Sequence, residues 1–289
     1  MPQTINTNLV SLNAQRNLNT SQSSMATAMQ RLSSGLRVNS AKDDAAGLAI
    51  AERMNAQVRG MNVAARNAND GISLAQVAEG ALSKIGDALQ RMRELAVQAR
   101  NASNSLSDKD SLDKEFGELA KEIQRVIGGT TFNGKHIIGS DAGTLTFQIG
   151  ANTSSDDTID IGTTNMGAAA AITTIAGTDN TGAGRGTIDS VSDTTTIKTV
   201  IDNIDSALNF VNDMRATFGA TQSRFDAIIS NLQVSAENQT AARSRIMDAD
   251  FAAETANLSR AQILQQAGNA MVAQANQLPQ QVLRLLGGG

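Results

Sequence analysis

The fold follows most directly from the segment Asp44–Arg100, which reads DAAGLAIAERMNAQVRGMNVAARNANDGISLAQVAEGALSKIGDALQRMRELAVQAR. Apolar residues recur along it at steps of three or four: Ile50, Met54, Val58, Met61, Ala65, Ala68, Ile72, Ala75, Ala78, Leu82, Ile85, Leu89, Met92, Ala96 and Ala99. This spacing places them on one face of an α-helix or along a coiled-coil seam. We predict one helix, or two end to end, about 85 Å long at 1.5 Å per residue. Asp43 or Asp44 would cap its first turn.

Four glycines fall inside this helical pattern, namely Gly60, Gly71, Gly80 and Gly86. Each costs about 1 kcal/mol relative to alanine in a helix interior. A glycine also lets another element approach the helix closely, because it has no Cβ. The segment is therefore suited to close packing against a neighbour.

Apolar stripes with the same spacing lie near both ends of the chain. The N-terminal stripe contains Leu9, Leu12, Leu18, Met25, Met29 and Leu32, and Ser33-Ser34-Gly35 interrupts it. The C-terminal stripe contains Leu264, Gly268, Met271, Ala275, Leu278, Val282 and Leu285. We expect the two terminal helices to run antiparallel and to pack on each other. Their uncovered seams need partners, the simplest being other copies of the chain, and a head-to-tail contact that does not close gives a helical filament.

The middle of the chain has a different character from about residue 130 to 193. Alternating residues predict strands at 144–149 and 158–161, while the Ala-, Gly- and Thr-rich part at 163–190 is expected to be β or loop. Shorter helical stripes flank this insert, one over 112–126 ending at Gly128-Gly129, and one over 197–246. The fold class is thus mainly α with a small β insert, built on long antiparallel terminal helices in coiled-coil or bundle packing.

Composition excludes several kinds of protein. The 289 residues include no Cys, so disulfides, thiolate metal sites and cysteine nucleophiles are excluded. Aromatic residues are 2% of the chain, all Phe, which favours many small contacts between long helices over a globular core. The net charge of −4 predicts no strong electrostatic attraction to nucleic acid. The chain shows neither a secretory signal nor a stretch apolar enough to predict a membrane span.

Nothing in the sequence indicates catalysis. His136 is the only histidine and lies in a Gly-flanked turn, whereas a zinc-protease helix needs two histidines one turn apart. The Gly-rich run at 182–186 lacks the Lys-Ser/Thr pair of a phosphate-binding loop. We predict that the chain is not an enzyme and has no catalytic, cofactor-binding or metal-binding residues.

Several longer motifs are more specific than any periodicity. They are Ile5-Asn6-Thr7-Asn8, the runs 31–47 (RLSSGLRVNSAKDDAAG) and 66–73 (RNANDGIS), and the runs 242–251 (ARSRIMDADF) and 261–268 (AQILQQAG). Together they resemble bacterial flagellin over roughly residues 1–160 and 196–286. The resemblance implies a subunit that self-assembles into the extracellular flagellar filament used for swimming. It also implies unfolded export by the flagellar type III apparatus with an export chaperone, and contacts with the filament cap and junction proteins.

The resemblance also implies a domain layout. Residues 1–43 and 249–289 would form the inner tube, ordering only when neighbours cover them, and 44–248 the surrounding shell. The inner-tube packing residues would be the apolar members of the two terminal stripes. Larger flagellins carry outer domains that the short stretch at 163–193 cannot hold, so we expect a thin filament.

Two alternatives to a filament subunit remain open at this point. The chain could be a hook–filament junction protein, or a surface module that binds through the β insert.

A further similarity concerns the run 90–97 (QRMRELAV), which resembles the flagellin segment recognised by a Toll-like innate immune receptor. The resemblance implies Arg91, Leu95 and Glu115 as receptor contacts. From the residues alone, Met92 and Ala96 would lie in the helix seam while Arg91, Arg93 and Glu94 form a solvated face.

Overall fold

A computed structural model describes residues 7–286, and it describes side chains as far as residue 277. The described residues contain six α-helices: α1 (Leu9–Ser34), α2 (Ala45–Ala99), α3 (Leu106–Gly129), α4 (Ala170–Ala176), α5 (Thr194–Met247) and α6 (Phe251–Leu286). Four short strands lie between α3 and α4: β1 (Thr131–Phe132), β2 (Lys135–His136), β3 (Thr144–Gln148) and β4 (Thr158–Gly162). This order confirms the predicted class, mainly α with a small β insert.

The apolar-striped segment at 44–100 forms one uninterrupted helix, α2. Asp44 caps it, since its Oδ1 accepts a hydrogen bond of 2.8 Å from the N–H of Gly47. Asp43 instead accepts from the N–H groups of Asn39 and Ser40, within the preceding turn. The helix-capping prediction is therefore confirmed for Asp44.

Two compact units can be distinguished in the chain. The central unit is Gln57–Ala236, and the terminal unit contains the chain up to Ala56 and from Glu237 onward. The predicted domain limits, 43/44 and 248/249, fall in the connections that follow α1 and α5. The division into tube and shell domains stays a prediction.

The core of the central unit is a continuous apolar cluster from α2, α3, the strands, α4 and α5. The predicted stripe of α2 supplies much of it, with Leu82, Ile85, Leu89 and Met92 fully buried. Phe116 of α3 and two phenylalanines of α5 are its largest buried side chains. Six of the seven Phe residues of the chain belong to this core or pack against it, and they provide the bulk that Ala-rich helices lack.

The strands form two antiparallel pairs, β1 with β2 and β3 with β4. Leu145 and Phe147 of β3 lie opposite Ile161 and Ile159 of β4, and this face packs on the core. The other face carries polar pairs such as Thr146, whose hydroxyl donates to Asp160 at 2.6 Å. The alternation predicted for 144–149 and 158–161 is confirmed.

The stretch 163–190 differs from the prediction of β or loop structure, because it contains the helix α4. Ile172, Ile175 and Ala176 are buried and lie on one face of that helix. β-branched residues disfavour helices only slightly, and the burial of two isoleucines exceeds that preference.

Residues 177–190 follow α4 and form a segment, here called the strap, that packs on α3. Arg185 forms a bidentate ion pair with Asp113 (2.9 and 2.5 Å) and lies over the ring of Phe116 at 5.9 Å. Asp113 also accepts from the N–H of Ile188, and Asp110 accepts from the N–H of Ser190. The strap is therefore docked on α3 by its backbone.

Candidate assembly surface

The terminal helices α1 and α6 pack side by side and antiparallel in the terminal unit. At one end, the Asn8 side chain donates to the carbonyl of Ala275 and the Ser11 hydroxyl to the Asn276 side chain, both at 2.7 Å. Towards the other end, Arg31 lies 4.0 Å from Glu254. The predicted antiparallel pairing of the chain ends is confirmed.

Small side chains form most of the seam between these two helices. Ala28, Ala261 and Ala275 are buried, and a Cβ added at Gly268 would lie only 3.2 Å from Leu18 Cδ1. Close approach of the helices leaves little room for large side chains between them. Eight large apolar residues of the two helices are therefore left exposed, while others such as Leu18 are half-buried in the pair.

Large apolar side chains remain uncovered along both helices. On α1 they are Leu9, Val10, Leu12 and Met29, and on α6 they are Phe251, Ile263, Leu264 and Met271, all between 50% and 67% exposed. Val10, Leu18, Leu264 and Met271 also line a groove of about 310 Å³ between the helices. An exposed apolar surface of this kind is a candidate for contact with another molecule.

The two helices also carry very few charges. The only ionisable residues are Arg16 and Arg31 in α1 and Glu254, Arg260 and Arg284 in α6. Their remaining polar surface consists largely of amides and hydroxyls. Contact between such surfaces buries few charges, so little desolvation opposes it.

The predicted packing residues divide into three groups. Leu9, Leu12, Met29, Leu264 and Met271 are exposed, whereas Leu18, Met25 and Leu32 are half-buried in the helix pair. Leu278, Val282 and Leu285 lie outside the residues whose side chains the structure describes. The sequence prediction missed Val10, Phe251 and Ile263, because counting one residue per helical turn passes over an apolar neighbour.

The proposed receptor residues belong to the central unit. Arg91 of α2 bridges to Glu115 of α3 at 2.8 Å and to Glu94 at 2.9 Å. Its hydrogen bonds to Glu94 and Glu115 raise the pKa of the guanidinium further above its usual value, so it stays charged. Leu95, by contrast, is 1% exposed and is part of the core. Arg91 and Glu115 are thus accessible to a partner while Leu95 lies beneath the surface.

His136 of β2 lines an open cleft of about 660 Å³ with Gln124, Arg125 and Asp179. Within the described residues, no three His, Asp or Glu side chains are grouped closely enough to hold a metal ion. No helix in residues 7–286 is long and apolar enough to cross a membrane.

Most of the chain is similar to a known protein family. The bacterial flagellin N-terminal helical region matches residues 5–144, and the bacterial flagellin C-terminal helical region matches residues 201–286. The chain belongs to the bacterial flagellin family. Among similar proteins, flagellin of Halalkalibacterium halodurans is 45% identical over 98% of this chain and 99% of its own length. Flagellin of Bacillus subtilis strain 168 is 42% identical over the same shares of both chains.

A solved structure of Bacillus cereus flagellin aligns with 62% of this chain and 94% of its own, at 32% identity and a TM-score of 0.47. Flagellin of Xenorhabdus nematophila is 45% identical over 99% of this chain and all of its own length.

This flagellin is a structural subunit of the extracellular flagellar filament, into which it self-assembles. The filament reading is therefore confirmed over the junction-protein and binding-module alternatives. The short length, with no large outer domain, agrees with relatives that match it almost end to end.

Proposed function

We propose that the exposed apolar surface of the α1–α6 pair is where copies of this flagellin contact one another in the filament. The main support for this proposal is that eight large apolar side chains on the two helices are at least half exposed in the single chain. Full burial of such a side chain contributes about 1.5–3 kcal/mol, so covering the exposed half contributes about 1 kcal/mol each. A neighbouring subunit with the same surface supplies that cover.

The same exposure supports the proposal that the ends of the free subunit are unordered. Ordering costs about 1–2 kcal/mol per residue in backbone entropy. The α1–α6 seam buries mainly alanine side chains, which return little of that cost. Folding of these segments would then be completed only as each subunit joins the filament.

Substitution of Leu264 by serine tests the assembly surface. Leu264→Ser removes about 1 kcal/mol of contact, so we expect the critical concentration for seeded filament growth to rise about fivefold. Gln266→Ser, at an exposed polar position of the same helix, is the matched control. Equal critical concentrations for the two variants, with unchanged far-UV circular dichroism, would refute the role of this surface.

The remaining partners follow from family membership. We propose that this flagellin passes unfolded through the flagellar type III export apparatus with an export chaperone, and that its filament ends on cap and junction proteins. We also propose that it catalyses no reaction, which family membership among structural proteins supports.

A second proposed activity is recognition by a Toll-like innate immune receptor through Arg91, Leu95 and Glu115. It is favoured by the half-exposed Arg91–Glu115 pair, which joins two helices at the surface. Leu95 would act from the core by fixing α2 beneath the pair.

Arg91→Ala monomer should activate receptor-expressing cells less than the unmodified monomer. Arg93→Ala is the matched control, because Arg93 is similarly exposed and pairs with Asp205 on α5. Full activation by Arg91→Ala would eliminate the proposed receptor contact.

A further inference from the structure

Two of the longest sequence motifs meet in the terminal unit, outside the assembly surface. The connection after α1 and the connection after α5 form an antiparallel bridge between Leu36 and Asp248. The N–H of Arg37 donates to the carbonyl of Met247 at 2.6 Å, and the N–H of Ala249 donates to the carbonyl of Gly35 at 2.9 Å. We call residues 35–38 and 246–249 together the clasp.

The clasp completes the end of α5. A helix leaves its last four carbonyls without intrahelical partners. The Arg37 guanidinium donates to the carbonyl of Ile246 at 2.7 Å, and the N–H of Val38 donates to Met247 at 3.4 Å. A cation at this position also opposes the negative end of the helix dipole. Residues near the start of the chain thus cap a helix that ends more than 200 residues later.

A small apolar cluster lies under these hydrogen bonds. Val38, Met247 and Ala51 are buried, and Leu36, Leu48 and Ile246 pack against them. Gly35 makes the tight exit from α1 possible, since its φ of +71° is the left-handed conformation that glycine adopts without strain. The clasp therefore has a fixed geometry where α1 ends and α6 is about to begin.

The apolar seam of the helix pair specifies its register poorly. Small residues repeat every seven positions on both helices, as Ala14, Ser21 and Ala28 in α1 and as Ala261, Gly268 and Ala275 in α6. If one helix slides by a heptad, about 10 Å, each small residue takes the place of another small residue, so the packing between the helices is largely restored. The polar contacts of Asn8 and Ser11 lie about 40 Å from the clasp at 1.5 Å per residue.

We infer that the clasp sets the register of α1 against α6. The hydrogen bond between Ala249 and Gly35 places the residues just outside both helices side by side, so every later pair along the helices is fixed by counting from it. This role concerns the packing of one chain, and it holds whether or not the exposed face of the pair is the assembly surface.

Cysteine pairs can measure this register, because the chain has no cysteine of its own. A Cβ at position 268 would lie 3.7 Å from that of Leu18, inside the roughly 3.5–4.5 Å range of disulfides. Leu18→Cys with Gly268→Cys therefore reports the observed register. Leu18→Cys with Ala261→Cys, or with Ala275→Cys, reports a slip of one heptad in either direction.

Each cysteine pair is placed in four full-length backgrounds: the intact clasp, Arg37→Ala/Val38→Ala, Arg37→Ala alone, and Arg245→Ala. Arg245 is an exposed residue in the last turn of α5, so its removal matches the change in charge at that helix end. Arg37→Ala alone is the milder variant. Disulfide yield is measured by mass spectrometry after mild oxidation of the assembled filament, in which the terminal helices are ordered, and amide exchange of β3 and β4 monitors the central unit.

With an intact clasp, and in the Arg245→Ala background, only the 18/268 pair should form. In Arg37→Ala/Val38→Ala the ratio of slipped to observed pairs should rise at least tenfold, as expected for loss of a hydrogen bond from a charged group. Arg37→Ala alone should give a smaller rise. Exclusive 18/268 cross-linking in the double variant would overturn the inference. So would loss of all three cross-links with β3 and β4 protected, because the clasp would then hold the helices together without choosing their register.

Discussion

Gly71 of α2 offers a direct test of how the central core is packed. A Cβ built at this position would lie 2.7 Å from Cζ and 2.9 Å from Cε2 of Phe225. That ring is fully buried and meets Phe147 edge to face, with centroids 5.8 Å apart and planes at 78°. A rigid ring packed on both sides cannot move away, so Gly71→Ala must shift the backbone of α2 or α5.

The magnitude follows from comparison with Gly80, a second glycine of the same helix. A Cβ at Gly80 would meet nothing within 4 Å. Alanine should gain up to about 1 kcal/mol of helix propensity at either site, whereas overpacking at Gly71 costs about 1–3 kcal/mol. We therefore expect the free energy of unfolding of Gly71→Ala to lie about 1–3 kcal/mol below that of Gly80→Ala.

The assay is urea unfolding followed by far-UV circular dichroism, because the chain contains neither Trp nor Tyr to report by fluorescence. Each kcal/mol should move the melting temperature of a unit of this size by about 2–4 °C. If Gly71→Ala were at least as stable as Gly80→Ala, the close packing of Phe225 on α2 would be wrong.

Three further predictions concern the strap and the chain ends. Asp113→Asn removes the charge partner of Arg185, whose side chain is poorly exposed. Because a hydrogen bond between charged groups contributes about 1.5–3 kcal/mol, the melting temperature of the central unit should fall by roughly 3–10 °C. An unchanged melting temperature would refute a stabilising role of the strap. Partial burial acts to raise the pKa of Asp113, but hydrogen bonds from Arg185 and the N–H of Ile188 outweigh it and hold that pKa below its usual value. The stabilisation by Asp113 is therefore present above about pH 4 and lost as the pH falls through the lowered pKa. Between about pH 5 and pH 2.5, the melting temperature of Asp113→Asn should consequently fall less steeply than that of the unmodified chain. Deleting residues 249–289 should abolish seeded growth while amide exchange in α2 and α3 stays protected, and continued polymerisation would contradict the role given to the ends.

Helix type and direction were predictable because they depend on local spacing. The stripe from Met61 to Ala99 supplies much of the buried face of α2, as a repeat of three and four requires. The partners of its glycines were not predictable. Ala151 faces Gly60 and Phe225 faces Gly71, and neither contact between distant parts of the chain leaves a periodic trace in the sequence.

The prediction of β or loop structure was wrong at α4 for a related reason. Ile172, Thr173, Thr174 and Ile175 have strand propensity, and only the core that buries one side of them makes a helix preferable. The strap was equally hidden, since Asp110 and Asp113 bind backbone N–H groups that every residue except proline possesses.

At the assembly surface, the stripes indicated the right helices but not which of their faces stays uncovered. Leu18 and Leu264 are both stripe residues, yet Leu18 is half-buried in the pair and Leu264 is exposed. The difference arises from the seam of small residues, which determines how the two helices turn towards each other. The clasp, likewise, joins two motifs that were visible, through backbone bonds that were not.

The docked strap has a practical consequence for this flagellin as a carrier of foreign peptides. Gln124 holds the carbonyl of Gly177 at one end, and the α3 carboxylates hold Ile188 and Ser190 at the other. The exposed tip at 178–181 lies between these anchors, so its side chains can be exchanged while both ends stay tethered. Because every subunit carries one such tip, a peptide grafted there would recur once per subunit along the filament, as a dense ordered array of a single epitope.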